Sequence, residues 1–229
     1  RAINGGTLDV GSIAIDQTGG GQLVANGIGS KLEFNSSSLI GGQVGSVNGA
    51  NIEINSATFN AVTLAGTADL TNGRTLDVFN SITNNGVITV NPNSSISTTQ
   101  LDFENNGSFL GNGTVVLNSL DNRANLRTAI GATMTNSANH TIRGWGRIEA
   151  ALINDGEVVA DEPGQAINMN NEDKVNNGTM RAIDMGEIEL SGITLDQTMS
   201  GQLFADGIDS RIEIRNSSVL GGDIAALNG

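Results

Sequence analysis

Cysteine and tyrosine are absent from this chain of 229 residues, proline occurs twice, and aromatic residues make up 3% of the total. The absence of cysteine excludes a disulfide scaffold, thiol catalysis and cysteine-ligated metal sites. Lysine and arginine number 11 against 24 aspartates and glutamates, which gives a formal net charge of −13. Because no basic patch exists to neutralise phosphates, we expect neither nucleic acid nor an anionic membrane as a partner. Apolar runs are far shorter than the ~18–20 residues that cross a bilayer, so we expect no membrane insertion.

Glycine and asparagine are the residues that the chain has in abundance, with 31 and 29 copies. Both prefer turns to helix interiors, so their abundance disfavours helices. Hydrophobic residues, at 38% of a chain of this length, are enough to form a sizeable core. Together these features predict an all-β protein with many turns.

The chain contains a long internal repeat. Residues 1–49, which begin "RAINGGTLDVGSIAIDQTGGGQLVANGIGS", return without a gap as residues 181–229, which begin "RAIDMGEIELSGITLDQTMSGQLFADGIDS". The two copies share 22 identical residues over 49 positions. We therefore predict one continuous segment over 1–229, in which residues 1–180 form one module and residues 181–229 begin the next.

A shorter period lies inside the long one. A polar residue between apolar neighbours, as in "LDV", "LEF" and "IEI", recurs along the whole chain, and eight steps of this pattern make up the offset between the two copies. The central residues of this acidic column are Asp9, Glu33, Glu53, Asp77, Asp102, Arg127, Glu149, Asn168, Glu189 and Glu213. A glycine column follows a similar spacing and consists of Gly21, Gly42, Gly66, Gly156, Gly178 and Gly201.

Apolar–polar–apolar triplets have the period of a β-strand, with the apolar residues on one side. Short strands separated by Asn-Gly turns predict a parallel β-helix, or β-solenoid, of about ten coils of ~22 residues. The Asn-Gly steps could instead close two-residue hairpins and give an antiparallel sandwich or meander. We favour the solenoid because the period is one coil long and an inward column stays apolar, and we expect that column to be buried throughout. Its members are Leu8, Leu32, Ile52, Leu76, Leu101, Leu126, Ile148, Ile167, Ile188 and Ile212.

Stretches such as "ALINDGEVVADEPGQAI" and "VNNGTMRAIDMGEIELSG" resemble the repeats of very large bacterial extracellular β-strand-repeat proteins. They are similar in style to the shafts of filamentous-haemagglutinin-like adhesins and autotransporter passengers. The resemblance covers most of the chain. It implies a right-handed parallel β-helix, secretion to the cell surface, and a role in adhesion, in a surface fibre or in a biofilm. It carries no catalytic residue onto this sequence.

The acidic column is the candidate metal site. In a solenoid, Asp9, Glu33, Glu53, Asp77 and Asp102 would stack on successive coils about 4.8 Å apart. Stacked like charges repel one another, and Ca²⁺, which prefers carboxylate oxygens, would relieve that repulsion. The Ca²⁺-binding nonapeptide repeat is absent, so a salt-screened ladder without specific ions is the interpretation that we favour. We expect no other cofactor.

Parallel β-helices include enzymes that cleave polysaccharides, which makes catalysis an alternative. The densest acidic spot is Asp161 and Glu162 in "DEP", His140 is the only histidine, and Trp145 is the only tryptophan. We interpret them as a surface turn, as a corner residue that replaces a glycine in its column, and as a packing residue. No catalytic partner is marked for any of them, so we expect no enzyme.

These observations predict a structural segment of a long extracellular filament, surface fibre or adhesin shaft built of tandem β-helical modules. The expected partners are further modules or copies along the fibre axis, and a glycan or a cell-surface receptor. The alternative is a β-helical domain that binds or cleaves polysaccharide. Eight coils per module would give an axial repeat of about 38 Å.

Overall fold

The structure, a computed structural model, describes residues 1–228. Within that range the secondary structure consists of 27 β-strands, and no helix is present. The first nine strands are β1 (Ala2–Ile3), β2 (Thr7–Gly11), β3 (Ala14–Asp16), β4 (Gln22–Asn26), β5 (Lys31–Ile40), β6 (Gln43–Val47), β7 (Asn51–Ala65), β8 (Thr67–Leu70) and β9 (Thr75–Asn84). The next nine are β10 (Val87–Val90), β11 (Thr99–Phe103), β12 (Gly107–Leu110), β13 (Thr114–Asn118), β14 (Ala124–Thr128), β15 (Met134–Asn136), β16 (Thr141–Ile148), β17 (Leu152–Asn154) and β18 (Glu157–Ala160). The last nine are β19 (Ala166–Met169), β20 (Lys174–Asn176), β21 (Thr179–Ala182), β22 (Glu187–Ser191), β23 (Thr194–Asp196), β24 (Gln202–Asp206), β25 (Arg211–Arg215), β26 (Ser218–Leu220) and β27 (Asp223–Leu227).

Strand pairing arranges these strands in three stacks, which we call faces 1, 2 and 3 in the order in which the chain visits them from β2 onwards. Face 1 contains β2, β8, β10, β13, β18, β21, β24, β27 and the first parts of β5, β7 and β16. Face 2 contains β3, β11, β14, β19, β22, β25, the middle of β7, the first part of β9 and the second parts of β5 and β16. Face 3 contains β1, β4, β6, β12, β15, β17, β20, β23, β26 and the last parts of β7 and β9. The long strands therefore bend through corners, and β7 contributes to all three faces.

All strand pairs found among residues 1–228 are parallel, and the chain completes about ten turns spaced about 22 residues apart. The predicted parallel β-solenoid is confirmed, and the antiparallel hairpin alternative is wrong. Right-handed winding stays a prediction.

The interior is one continuous apolar cluster that runs through all the coils. Strand β5 illustrates how it forms, because its residues alternate between buried and half-exposed positions and place Leu32 and Phe34 inside. The inward column is fully buried from Leu32 to Ile188. Its end members, Leu8 and Ile212, are only partly buried, because they lie on the first strand of face 1 and the last strand of face 2.

Glycines form a column at the corner where face 3 leads into face 1. Backbone hydrogen bonds place Gly66, Gly86, Gly113, His140, Gly156, Gly178 and Gly201 one above another. A Cβ at Gly86 would lie 2.0 Å from the carbonyl oxygen of Gly66, so only glycine fits this close approach of two coils. His140 occupies a glycine position of this column, as predicted. The column as predicted is wrong in one respect, because Gly21 and Gly42 lie at a different corner, where the chain enters face 3 at β4 and β6.

The acidic column changes face between its third and fourth members. Its first three members stack on face 1: Asp9, Glu33 and Glu53. The residue that stacks next to Glu53 is Asp69, whereas Asp77 lies on face 2 and stacks on Thr58. The prediction that column neighbours lie on adjacent strands is therefore wrong at this step. The reason is coil length: β7 crosses all three faces without a loop, so a full turn from Glu53 ends at Asp69, and the longer step to Asp77 reaches the next face.

A second, smaller break follows Glu149. Arg147, rather than Glu149, pairs with Asn168, so the column shifts by two residues along face 2. Residues two apart on a strand point to the same side, so the outward orientation survives the shift. Asn168, Glu189 and Glu213 then stack in register.

The two copies of the long repeat adopt the same strands. β2, β3, β4 and β6 recur as β22, β23, β24 and β27, and their bounds are displaced by the same offset as the sequence repeat. The ten-residue strand β5 recurs as β25 and β26, separated by a two-residue break. Left-handed backbone conformations also recur, for example at Asn4 and Asp184 and at Ser36 and Asn216. Local structure in these segments is therefore set by their own sequence.

Candidate functional site

The predicted metal ladder is divided into two acidic stacks on different faces. The stack on face 1 consists of Asp9, Glu33, Glu53 and Asp69. Neighbouring side chains bind some of its carboxylate oxygens. Lys31 forms an ion pair with Glu53, and Asn51 Nδ2 donates to Asp69 Oδ2 at 2.7 Å. Asn35 Nδ2 donates to Asp9 Oδ1, also at 2.7 Å. Amide donors and one lysine therefore already occupy several of the oxygens that a cation would need.

The stack on face 2 contains the one group of acidic residues whose spacing suits a metal ion within residues 1–228. Asp77 and Asp102 lie on adjacent strands, β9 and β11, and Glu104 directly follows β11. One carboxylate oxygen from each of the three lies within 4.8 Å of the others. Oxygen ligands at this spacing are of the type that Ca²⁺ prefers. The triplet pattern predicts Asp77 and Asp102 as members of the acidic column, whereas Glu104 lies outside that pattern and carries no sequence signal.

Burial dominates the electrostatics of this acidic cluster. It raises the pKa of Asp102 to about 6, and the neighbouring carboxylates add to the rise while Arg127 opposes it. Arg127 Nε lies 3.8 Å from Asp102 Oδ1, which has no hydrogen-bond donor. Burial and then Glu104 also raise the pKa of Asp77. The cluster can therefore hold a proton on Asp102 below about pH 6, or hold a cation with the three oxygens.

A groove lined by hydroxyl groups adjoins the cluster on face 2. Its volume is about 520 Å³, and its lining includes Ser12, Ser36, Ser38, Ser56, Thr75 and Asp77. Ser12, Ser36 and Ser56 each have a positive φ and lie where the chain turns from face 1 to face 2. The groove can offer hydrogen bonds to an extended polar ligand, with Asp77 at one side.

The remaining candidates are not brought together. Asp161 forms an ion pair with Arg143, and Glu162 is exposed in the turn before β19. Trp145 lies on β16 beside a surface cleft of about 330 Å³ that Leu120 and Asn168 also line. His140 points into the interior, where its ring stacks on Phe109 at a centroid distance of 4.9 Å. These residues form no common site.

His140 belongs to a buried polar ladder that sequence analysis missed. The ladder runs through Asn84, His140, Asn136, Asn154, Asn176 and Gln197. Successive asparagines are joined by amide hydrogen bonds of 2.8 Å and also donate to backbone carbonyls of the corners. Burial lowers the pKa of His140 to about 4, so at neutral pH Nδ1 donates to Asn136 Oδ1 and Nε2 accepts from Asn84 Nδ2.

A sequence signal for the ladder exists. Three of its members precede a corner glycine by two residues, in "NNG" at Asn84, "NDG" at Asn154 and "NNG" at Asn176. In each triplet the inward asparagine is the first residue. The Asn-Gly step, where a triplet has one, begins at the second residue, so a search for Asn-Gly steps does not find the inward asparagine. An inward asparagine satisfies backbone groups that a corner leaves without a strand partner.

Comparisons with known proteins add no relative. No protein-family model matches the chain, and neither the curated proteins nor the solved structures contain a match. Among the described residues, no helix has the length and apolar character needed to cross a membrane.

Proposed function

We propose that the chain is a structural segment of a long extracellular bacterial filament, surface fibre or adhesin shaft built of tandem β-helical modules. The observation that carries the proposal is the return of the sequence of residues 1–49 as residues 181–229. Strands recur at equivalent positions over the described residues of the second copy, in a solenoid with one continuous core. Each coil of a solenoid contacts only its neighbours, so such a protein lengthens by adding coils.

The polar ladder supports stacking of tandem copies. Gln197 Oε1 accepts a hydrogen bond of 2.7 Å from Asn176 in the preceding coil. Gln17, the equivalent residue of the first copy, is 8% exposed, and its Oε1 has no hydrogen-bond partner. A buried acceptor without a donor is costly. A coil with an inward asparagine, placed against Gln17 as Asn176 is against Gln197, would supply that donor.

The proposed partners are further modules or copies along the fibre axis, and a glycan or cell-surface receptor on the outer surface. The proposed location is the outside of the cell. Intact cells treated with a non-penetrating protease should lose the epitopes of this chain, whereas a cytosolic control protein should persist. Retention of the epitopes on intact cells, with loss only after lysis, would contradict the proposed location.

Electron microscopy of native material, labelled with antibodies against the chain, tests the filament itself. We expect long thin fibres whose axial repeat is about 40 Å, from about 4.8 Å per coil. Compact particles of uniform size that carry the label would overturn the proposal.

The second candidate function is polysaccharide binding or cleavage, favoured by the hydroxyl-lined groove beside Asp77, Asp102 and Glu104. Paired carboxylates perform glycoside hydrolysis in many enzymes, and a carboxyl group with a raised pKa can act as the acid. The test is release of reducing ends from a panel of polysaccharides. Activity that is lost in Asp102→Asn and kept in Asp69→Asn, on face 1, would favour this candidate over the filament.

A further inference from the structure

The two copies of the long repeat lie on different faces of the solenoid. β2 lies on face 1 and its equivalent β22 on face 2, while β3 lies on face 2 and its equivalent β23 on face 3. β4 lies on face 3, and its equivalent β24 returns to face 1. Every strand of the second copy is thus displaced by one face in the direction of winding.

Strand register gives the number of turns between the copies. The stack on face 1 that begins at Asp9 continues through Glu33, Glu53, Asp69, Thr89, Val116, Arg143, Val159 and Arg181, which is eight turns. Glu189, the equivalent of Asp9, follows Arg181 in the chain and lies on the next face, face 2. The module of residues 1–180 therefore makes eight turns and one further face, rather than the eight turns that the triplet count predicts.

The additional third of a turn arises inside the module. The step from Glu53 to Asp77 moves the triplet from face 1 to face 2, because the turn between Glu53 and Asp69 is short. The other triplet steps from Asp9 to Glu189 each keep to one face. The offset is therefore a property of the coil lengths within residues 1–180.

Outward side chains move with the offset. In the first copy Asp9, Lys31 and Glu33 project from face 1, and in the second copy Glu189, Arg211 and Glu213 project from face 2. We call these three positions the charged unit; it consists of two acidic residues and one basic residue in both copies. The basic side chain of the unit lies close to an acidic neighbour in each copy. Lys31 forms an ion pair with Glu53, and an Arg211 nitrogen lies 2.7 Å from Glu187 Oε2.

We propose that tandem modules of this protein are related by a screw that moves each module on by one face, so that the charged unit projects from the three faces in succession. This inference rests on the proposed function, in which modules follow one another along a shaft. Each module advances about 40 Å, and the unit returns to the same face after three modules, or about 120 Å. A partner that contacts a single face of the shaft therefore meets the charged unit at every third module, and each of the three faces carries it.

Distances between pairs of spin labels test the screw in this chain. The sequence contains no cysteine, so introduced cysteines are the only labelling sites. Glu33 and Ser38 both lie on β5, on faces 1 and 2 respectively, and Glu213 lies on face 2. Two double variants are labelled, E33C/E213C and S38C/E213C. We expect the S38C/E213C distance to be about 38 Å, from eight turns of about 4.8 Å, and the E33C/E213C distance to be longer.

The order of the two distances decides the result. If equivalent strands of the two copies lay on the same face, Glu213 would lie above Glu33 and the E33C/E213C distance would be the shorter one. That result would overturn the proposal. The pair E33C/F204C spans eight turns on face 1 and calibrates the rise per turn. Circular dichroism and melting of each labelled variant should match the parent, since all four positions point outward from strands.

The test of the screw and the test of the filament can fail independently of each other. The label distances report on the chain alone, so the screw stands or falls whether or not native fibres exist. Fibres that show the axial repeat of one module, without a modulation at three times that spacing, would overturn the screw and leave the filament intact.

Discussion

Burial of ionisable side chains has the largest consequences at the scale of single residues. Burial raises the pKa of Asp102 to about 6 and lowers the pKa values of His140 to about 4 and Lys174 to about 8. Each shift favours the neutral form. Lys174 is 1% exposed, and its Nζ donates to the backbone carbonyls of Asn170 and Glu172, so carbonyl dipoles partly replace the water that it has lost.

Asp102→Asn should stabilise the protein at neutral pH. The folded-state pKa of about 6 lies above the unfolded value of 3.8, so the folded state binds more protons between these values and stability falls as pH rises through them. Asparagine cannot ionise. We expect Asp102→Asn to exceed the parent by roughly 1–3 kcal/mol above pH 6 and to match it below pH 4.

Urea unfolding at pH 3.5 and pH 7.5 measures this difference. Asp69→Asn is the control. Asp69 accepts a hydrogen bond from Asn51, so replacing its carboxylate should not stabilise the protein. A destabilised Asp102→Asn protein at pH 7.5 would show that Asp102 is needed as a carboxylate.

His140 should give the opposite pH dependence. Its pKa is about 4 in the folded state and 6.5 when unfolded, so the unfolded state binds more protons between these values. Its contribution to stability is complete above pH 6.5 and is lost as pH falls towards 4, by roughly 3 kcal/mol. The stability of His140→Gln should lack this component, and the difference between parent and variant should shrink from pH 7 to pH 4. A difference that does not change with pH would contradict neutral burial of the imidazole.

At the scale of strands, two kinds of inward residue hold neighbouring coils together. Aliphatic and Phe side chains fill the interior, with edge-to-face ring pairs such as Phe34–Phe59 at 5.2 Å. The polar ladder lies at the corners, where a purely apolar lining would leave backbone carbonyls without donors.

Ile52→Asp should destabilise the protein severely. Ile52 is fully buried on β7, so the substitution places an unpaired charge among apolar side chains. We expect a loss of more than about 3 kcal/mol in the free energy of unfolding. Thr63→Asp, at an outward position of the same strand, should cost less than about 1 kcal/mol. Equal melting temperatures for Ile52→Asp and the parent would refute the inside–outside assignment.

Asn176→Leu tests the polar ladder against its neighbour Asn177→Leu. Asn176 is fully buried and connects Asn154 with Gln197, whereas Asn177 is half-exposed and donates to Asp155. Leucine at 176 would leave the partners of Asn176 unsatisfied, and we expect a loss of about 2–4 kcal/mol. Leucine at 177 should cost less than about 1 kcal/mol. If Asn176→Leu were as stable as the parent, the ladder would not contribute to coil stacking.

At the scale of the whole molecule, the net charge of −13 opposes compaction, and salt should relieve it. We expect the melting temperature to rise between 10 mM and 0.5 M NaCl. The Debye length falls from about 30 Å to below about 10 Å over this range, so repulsion between the acidic side chains is screened. CaCl₂ at matched ionic strength should give the same rise. An additional stabilisation by Ca²⁺ that Asp102→Asn abolishes would instead assign a calcium site to Asp77, Asp102 and Glu104.

The sequence alone determined the fold class, the mean coil length, the inside and outside of the strands and the equivalence of the two copies. These properties follow from local periodicity, since a triplet such as "LEF" specifies a strand and its orientation, and an Asn-Gly step specifies a turn. Tertiary structure decided which triplets stack on one another. The turn on face 1 from Glu53 to Asp69 is much shorter than the turn from Val116 to Arg143, and the mean period conceals this spread. The positions of Asp69 and Glu104 in the acidic stacks, and the hydrogen bonds that join the ladder residues, therefore became visible only in three dimensions. The reason is that register depends on the packing of each corner against the coil below.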